Sequence, residues 1–477
     1  MTPAPQIKGW CPGAWQPMAS GDGLVVRVRP PQGRLSAGQA LQLAELARVH
    51  GSGVLELSSR ANVQLRGIAP DRHAAVLDIL AGCGLLDADA RRESLRTIVL
   101  DPLWQPGDGV RETAQALEAA LFQPEAQAAL QGLPAKFGWL VAGRGHRALA
   151  GVPADIRLLC LPAGRAADTG HRWHLLVQGL PRLLAASTLP AAIAAALELA
   201  RWCADQSRTR KAKGLHPGRM AGLLAQYQAA HHRLPDWQLP AGASLQALED
   251  AAFCMPSAPD PAPGRQGPDG PYPGLLAGAP LGRLSANALS RLARVLRDTR
   301  DRDGQAPHLR ITPWRMLLIE GRAWSPAALR QAGLDDAREW ITDAGDARLR
   351  VCACTGAPGC SQALAPTLDL ALQLAPQVPP GALLHVSGCA KGCARQRPAD
   401  ITLRAQAGTA ADGTPTASFA VVQNGTARDV AQQELEACAL RDNPRLFSEK
   451  IEWLTSTKPM APKSIASPLP PYAAKPT

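Results

Sequence analysis

Two copies of one pattern run through the chain, and a repeat of this length restricts the fold to two similar units. The pentapeptide Gly33-Arg-Leu-Ser-Ala37 recurs as Gly282-Arg-Leu-Ser-Ala286, an offset of 249 residues (33 to 282). Behind it, Ala40, Leu43, Ala44 and Ala47 fall at i, i+3, i+4 and i+7, one apolar stripe of a helix. Leu289, Leu292, Ala293 and Leu296 repeat that stripe in register. Ser36 and Ser285 stand where N-caps are needed, and Ser36 with Gln39 spells a capping box. A second echo follows, because Pro153-Ala-Asp-Ile156 returns as Pro398-Ala-Asp-Ile401, an offset of 245 residues (153 to 398). Each copy leads through a polar turn to an apolar strand ending in Gly, Trp173 to Gly179 and Phe419 to Gly425. Two matches at nearly one offset predict a duplicated α+β unit: strand, helix, strands, then a larger mixed segment.

The length of 477 residues calls for two or three cores. Pro256 to Pro280, dense in Pro and Gly, predicts an extended linker between the copies. The tail beyond Ser456 is Pro, Ala and Lys and predicts disorder. Ala185 to His232 is helical in composition, broken around Gly214-Leu-His-Pro217. The net charge of +11 suits an anionic partner, yet it is not gathered into the runs that nucleic-acid binding favours. Its densest cluster is Arg208-Thr-Arg-Lys-Ala-Lys213, with His216 and Arg219 behind it. Scattered solvated arginines and a polycarboxylate small molecule are the two readings left, the second because Arg pairs carboxylates bidentately. No stretch approaches the apolar length of a membrane span, and the start has no apolar signal region. The expectation is a cytoplasmic protein whose thiols are reduced.

Clustered thiols in that compartment point to metal or catalysis. Cys354-Thr-Gly-Ala-Pro-Gly-Cys360 is C-x5-C and Cys389-Ala-Lys-Gly-Cys393 is C-x3-C, both in the second copy alone. Four thiolates from two short loops suit a [4Fe–4S] cube, and the small residues between them let backbone N–H groups approach its sulfides. Structural zinc and a disulfide pair are the alternatives. The x5 spacing fits zinc poorly, and disulfides do not suit the compartment. Cys352 is expected on the strand face opposite Cys354, and Cys83, Cys160, Cys203, Cys254 and Cys438 are expected in cores. Cys11, in Gly9-Trp-Cys-Pro-Gly13, reads as a turn thiol or an active-site residue.

A C-x5-C and C-x3-C pair late in a duplicated α+β chain resembles the sulfite and nitrite reductase hemoprotein family. The resemblance implies a pseudo-two-fold architecture of ferredoxin-like half-domains with a 4Fe-4S domain. It makes Cys354, Cys360, Cys389 and Cys393 the cluster ligands, with Cys393 facing a tetrapyrrole. Ser58-Ser-Arg-Ala-Asn-Val-Gln-Leu65 resembles the family's first substrate-side arginine motif and implies Arg60. Leu95-Arg-Thr-Ile-Val-Leu-Asp-Pro102 resembles the second and implies Arg96. Leu133-Pro-Ala-Lys-Phe-Gly138 resembles the motif in which two lysines flank a Phe, so Lys136 is implied while Gly138 replaces the second lysine. Reducing sulfite or nitrite needs several cations to hold the anion and deliver protons, and a pocket with one lysine missing is poorer at that work.

The opening Cys11-Pro12 with Pro17-Met-Ala-Ser-Gly-Asp-Gly-Leu24, and Gly151-Val-Pro-Ala-Asp-Ile156, resemble a branch that converts precorrin-3A to precorrin-3B in aerobic cobalamin biosynthesis. That branch implies a monooxygenase hydroxylating precorrin-3A at C20, with a γ-lactone formed from the ring A acetate. Its implied partners are precorrin-3A, dioxygen and an external electron donor, a reductase or ferredoxin bringing NADH-derived electrons. No nucleic acid and no membrane are expected. The tetrapyrrole substrate takes the place of siroheme, and a mononuclear iron is also implied, for which His50, His146 and His385 are unranked candidates. A siroheme-dependent assimilatory sulfite or nitrite reductase is the alternative, and a non-enzymatic carrier the remaining one. The implied division is a first ferredoxin-like half-domain (1–75), an α+β repeat domain (76–245), a linker (246–280), a second half-domain (281–330), a 4Fe-4S and tetrapyrrole-binding domain (331–455) and a tail (456–477).

Overall fold

The computed structural model describes residues 11–143, 146–162, 170–247, 261–264, 273–300, 304, 306–321, 323–409 and 415–451. The expected tail and much of the expected linker, Cys254 included, lie outside these residues. The chain opens with β1 (Met18–Ser20), β2 (Gly23–Val28), β3 (Arg34–Leu35), α1 (Ala37–His50), β4 (Val54–Leu57), β5 (Val63–Ile68) and α2 (His73–Gly82). The capping box forms: Gln39 N–H donates to Ser36 Oγ at 3.2 Å and Ser36 N–H to Gln39 Oε1 at 3.0 Å. The Ala40, Leu43, Ala44 and Ala47 stripe is fully buried.

The next segment carries α3 (Ala90–Leu95), β6 (Ile98–Leu100), α4 (Val110–Leu121), α5 (Pro124–Ala129), β7 (Trp139–Ala142), β8 (Ile156–Pro162), β9 (His171–Val177) and β10 (Arg182–Ala186). Then come α6 (Leu189–Ala212), α7 (Met220–His231) and β11 (Ala243–Ala247). The strands form one sheet in the order β11-β10-β9-β8-β7-β6, parallel across β6, β7 and β8 and antiparallel beyond. Helices α4 and α6 pack on one face of it around Trp139, Val141, Leu158 and Leu199.

The second copy begins with β12 (Gly274–Gly278), β13 (Arg283–Ser285), α8 (Ala286–Asp298), β14 (Leu309–Ile311), β15 (Met316–Glu320) and α9 (Pro326–Gln331). The extended-linker reading is corrected at its end, since Gly274–Gly278 pairs along its whole length with β15. An apolar Leu275-Leu276-Ala277 core overrides the Gly and Pro around it. The two half-domains also exchange strands. β13 of the second copy completes the first sheet (β1-β2-β5-β4-β13), and β3 of the first completes the other (β12-β15-β14-β3). Helices α1 and α8 pack together between the sheets, with Leu43, Leu46, Leu289, Leu292 and Leu296 in one core. The divisions 1–75 and 281–330 are therefore halves of one body.

The last segment holds β16 (Val351–Ala353), α10 (Leu368–Leu374), β17 (Leu384–Ser387), β18 (Ala399–Thr409), β19 (Pro415–Gly425), β20 (Gln433–Glu436), α11 (Ala437–Asp442) and α12 (Arg445–Lys450). Its sheet, β16-β17-β18-β19-β20, repeats the pairing senses of β6-β7-β8-β9-β10, and β11 of the first large sheet has no counterpart in it. The repeated Pro-Ala-Asp-Ile now has a cause. Asp155 Oδ2 accepts the Gly138 amide at 2.9 Å just before β7, and Asp400 Oδ2 accepts the Leu383 amide at 3.0 Å just before β17. Each aspartate pins the start of the neighbouring parallel strand. The other ends match too: the Gly143 amide donates to Asp101 Oδ2 at 3.2 Å, and the Gly388 amide to Cys354 Sγ at 3.2 Å.

One buried ion group locks the exchanged strand β3. Glu320 accepts from Arg34 Nε and Nη2 at 2.9 and 2.6 Å and from Arg310 Nε at 2.5 Å. Arg310 also donates to the Pro102 and Trp104 carbonyls at 2.8 and 2.7 Å and stacks 3.8 Å from the Trp104 ring centre. Removing the one carboxylate leaves two buried guanidinium groups without their counter-charge. Glu320→Ala should therefore cost about 3–5 kcal/mol of unfolding free energy by urea titration. A change under about 1 kcal/mol would show that the exchange does not depend on this group.

Candidate functional site

The four clustered thiols come together because β16 and β17 are adjacent parallel strands. Val351, Cys352 and Ala353 pair with Leu384, His385 and Val386, so Cys354 and Cys389 leave the sheet at the same edge. This is the carboxyl edge, where open α/β sheets present their ligand crevices. Cys354 N–H donates to the Val386 carbonyl at 3.3 Å, and the Gly388 amide points at Cys354 Sγ. Thr367 Oγ1 fixes the Cys354 carbonyl at 2.5 Å, and Ser387 Oγ fixes that of Cys389 at 2.8 Å. Gly356 sits at φ +68°, and a Cβ on Gly388 would lie 2.7 Å from that of Ala363, so both loops close only around glycine.

Electrostatics tie the set together. Burial, then contact with the Cys354 and Cys360 thiols, raises the Cys389 thiol above its ordinary range. Cys393 is the exposed member, yet the loops behind it desolvate its thiol and push it up to about 11, with the other three thiols adding to the rise. Burial and neighbouring sulfur hold Cys389 and Cys393 in the thiol form, so metal binding there would release their protons. Among the described residues no three Cys, His, Asp or Glu side chains close on the spacing of a single metal ion. Four thiols on two short loops are a donor set that an iron–sulfur cluster can use, and Cys354, Cys360, Cys389 and Cys393 are the residues that would hold it. Cys352 is corrected: two residues along a strand return to the same face, and its thiol feels that of Cys354. Cys438 is exposed rather than in a core, and Cys83 is half-buried.

The first half-domain reaches this loop. Ser20 Oγ, Gly21 N–H and Arg66 Nη2 all donate to the Gly359 carbonyl, at 2.5, 3.2 and 3.0 Å. Arg66 is held by Asp22 through bonds of 3.0 and 2.9 Å, and only 6% of its side chain is exposed. Arg66 was not singled out in the sequence, where it follows the Ser58 to Leu65 motif directly.

Arg60 and Arg96 line one cavity of about 380 Å³, counting its open mouth. Arg27, Arg29, Cys11, Asn62 and Gly138 line it too. Lys136 does not line it, and enters only through its carbonyl, which accepts from Arg60 Nη2 at 3.4 Å. Arg96 is bound bidentately by Asp87 at 2.7 and 2.9 Å and donates to the Arg29 carbonyl at 2.8 Å. It is a neutralised wall of the cavity. Arg27 and Arg29, missed in the sequence, alternate with Val26 and Val28 at the end of β2 and just beyond it, and that period of two was the available signal. In the basic cluster only Arg219 stands near this wall. It binds Asp155 at 3.1 and 2.6 Å and lowers the pKa of Arg60, after desolvation the main cation acting on it.

The histidine candidates do not converge. His50 ends α1, His146 bonds the Gly143 carbonyl at 3.1 Å, and His385 lies in the core of β17. A mononuclear iron does not fit these three, and no step is assigned to one. Neither ring nitrogen of His385 has a hydrogen-bond partner among the described residues. Burial, then Arg395 and Arg315, push its pKa down to about 4. Folding thus favours the neutral ring, and the unfolded chain binds the extra proton between the ordinary value of 6.5 and about 4. Stability should fall as the pH is lowered through that window. His385→Leu should remove about 1.4 kcal/mol per pH unit from the wild-type slope in urea titrations, and parallel slopes would refute it.

Known proteins resemble the chain in sequence and in fold. Residues 16–83 match the family described as Nitrite/Sulfite reductase ferredoxin-like half domain. Over 436 residues the chain is 27% identical to precorrin-3B synthase of Sinorhizobium sp., covering 89% of this chain and 85% of that protein. A shorter stretch of 98 residues is 35% identical to the sulfite reductase [NADPH] hemoprotein beta-component of Bordetella petrii, 18% of this chain and 17% of that one. The structure superposes on the NirA protein of Mycobacterium tuberculosis with a TM-score of 0.60 at 20% identity, over 91% of this chain and 84% of that one. Among the described residues no helix is long and apolar enough to cross a membrane. The chain is a homologue of precorrin-3B synthase over most of its length, built on the α+β fold of NirA with a ferredoxin-like half domain of the nitrite/sulfite reductase family.

Proposed function

We propose that the chain hydroxylates precorrin-3A at C20 with dioxygen and closes a γ-lactone from the ring A acetate, yielding precorrin-3B. The observation that carries this is the relationship to precorrin-3B synthase across 89% of the chain. The nitrite/sulfite reductase family typically binds siroheme and a [4Fe–4S] cluster, and Cys354, Cys360, Cys389 and Cys393 are the residues that would hold the cluster here. A bound cluster supplies single-electron transfer, with its electrons coming from NADH through an external reductase or ferredoxin. The duplicated halves, one bearing the thiols and one the arginines, support a tetrapyrrole bound between them in the position of siroheme. Arg60 would bind a substrate carboxylate or a reduced-oxygen anion, Arg96 would hold the wall behind it, and Lys136 would act from the rim.

Gly138 bears on the alternative of a sulfite or nitrite reductase. At the position of the expected second lysine it brings no cation to the cavity it lines, a poorer arrangement for a small inorganic anion. Anaerobic purification, a visible spectrum and pigment extraction separate the two. An iron–sulfur shoulder without extractable haem, and an oxygenated product from precorrin-3A and dioxygen, are expected. An extractable iron isobacteriochlorin with viologen-dependent sulfite loss would move the chain to the reductases.

Cys393→Ala should lose cluster and product together, and hydroxylation by the cluster-free protein would overturn the assignment. Gly388→Ala should lower iron and sulfide content, because its methyl group would collide with Ala363 and push away the amide that donates to Cys354. Full loading of that variant would show that the amide is dispensable.

A further inference from the structure

Four guanidinium groups line the arginine cavity, but only two of them have carboxylate partners. Arg96 is bound by Asp87, and Arg29 stands 3.6 Å from Glu93. Arg27 and Arg60 bond neutral oxygens at long range, Gln64 Oε1 at 3.3 Å and the Lys136 carbonyl at 3.4 Å. Arg27 Nε is buried with no partner among the described residues. Cys11 lines the same cavity and contacts the Arg27 side chain. Burying a donor of a charged group with nothing to accept from it is costly, so the arrangement is complete only with an anion present.

Gly138 has no positive φ, and a Cβ there would meet the Pro153 carbonyl at 3.3 Å and stand 3.8 Å from Arg60 Nη1. Its backbone is fixed by Asp155 on both sides, the amide donating to Oδ2 at 2.9 Å and the carbonyl accepting from Asp155 N–H at 2.7 Å. The position stays open because no side chain enters it. The cavity opens to solvent at its mouth, from which a carboxylate can reach the guanidinium groups, and their planar fork suits that group.

We propose that Arg27, Arg60 and Cys11 form a seat for one peripheral carboxylate of the macrocycle, which accepts from Arg27 Nε and the Arg60 guanidinium while its methylene lies against the Cys11 thiol. Arg27 and Cys11 are thereby binding residues that fix the rotation of the ring about its own axis. The seat rests on the tetrapyrrole reading given above. Uroporphyrin, a polycarboxylate tetrapyrrole, and its methyl ester serve as probes against the anaerobically purified protein. Fluorescence quenching should show binding of the free acid, weakened about tenfold or more in Arg27→Gln, the loss expected for one charge-assisted hydrogen bond. In the wild type, bound free acid should slow maleimide alkylation of Cys11, read by peptide mass, while exposed Cys438 reacts unchanged.

Equal affinity of Arg27→Gln and wild type, or equal Cys11 alkylation with and without the bound acid, would overturn the seat and leave the tetrapyrrole reading intact. Absence of free-acid binding to the wild type would overturn both. Should Arg27→Gln fail to fold, the alkylation experiment on the wild type decides alone.

Discussion

The exchange of β3 and β13 is the constraint on which the rest of the molecule depends. Neither half-domain sheet is complete on its own, since each takes its last strand from the other copy. The cost of bringing distant segments together must be met before any local gain. It is offset by burying the α1 and α8 stripes against each other and by the Glu320 group, which joins Arg34 of one copy to Arg310 of the other. The two large sheets hang from this shared body. The arginine cavity at the amino ends of β6, β7 and β8 and the thiol loops at the carboxyl ends of β16 and β17 are positioned by it.

That arrangement explains why the thiol loops and the arginine cavity share one structural support although they lie in different halves. The β1–β2 turn contributes Ser20, Gly21 and Asp22 to the clamp on Gly359, and β2 then runs on to Arg27 and Arg29 in the cavity wall. A strand rises about 3.3 Å per residue, so one short strand links the two places directly. Displacing the clamp moves both.

Much of this was legible in the sequence. The Ser-capped helices followed from an N-cap, a repeat and a 3.6-residue period, all local signals. The Asp155 and Asp400 echoes were visible as letters, but their work is done on amides of other strands, which no local pattern reports. The strand β12 was hidden because Gly and Pro punctuation is read locally, while pairing with β15 is not. Arg60 and Arg96 could be placed by resemblance. Only the fold shows that Asp87 neutralises one and leaves the other without a carboxylate bonded to it.

Asp101 and Cys354 occupy equivalent ends of equivalent strands, and each accepts from the glycine amide opposite, Gly143 or Gly388. Duplication preserved the hydrogen bond and changed the atom that receives it. An oxygen acceptor closes the loop by itself, whereas a sulfur acceptor leaves a soft ligand whose remaining valence faces outward. The two copies thus differ at this edge by a division of labour: one loop is closed by a carboxylate, and the other places a thiol at the same position. A substitution at Asp101 therefore removes only a structural bond, whereas one at Cys354 removes the same bond and a sulfur donor with it.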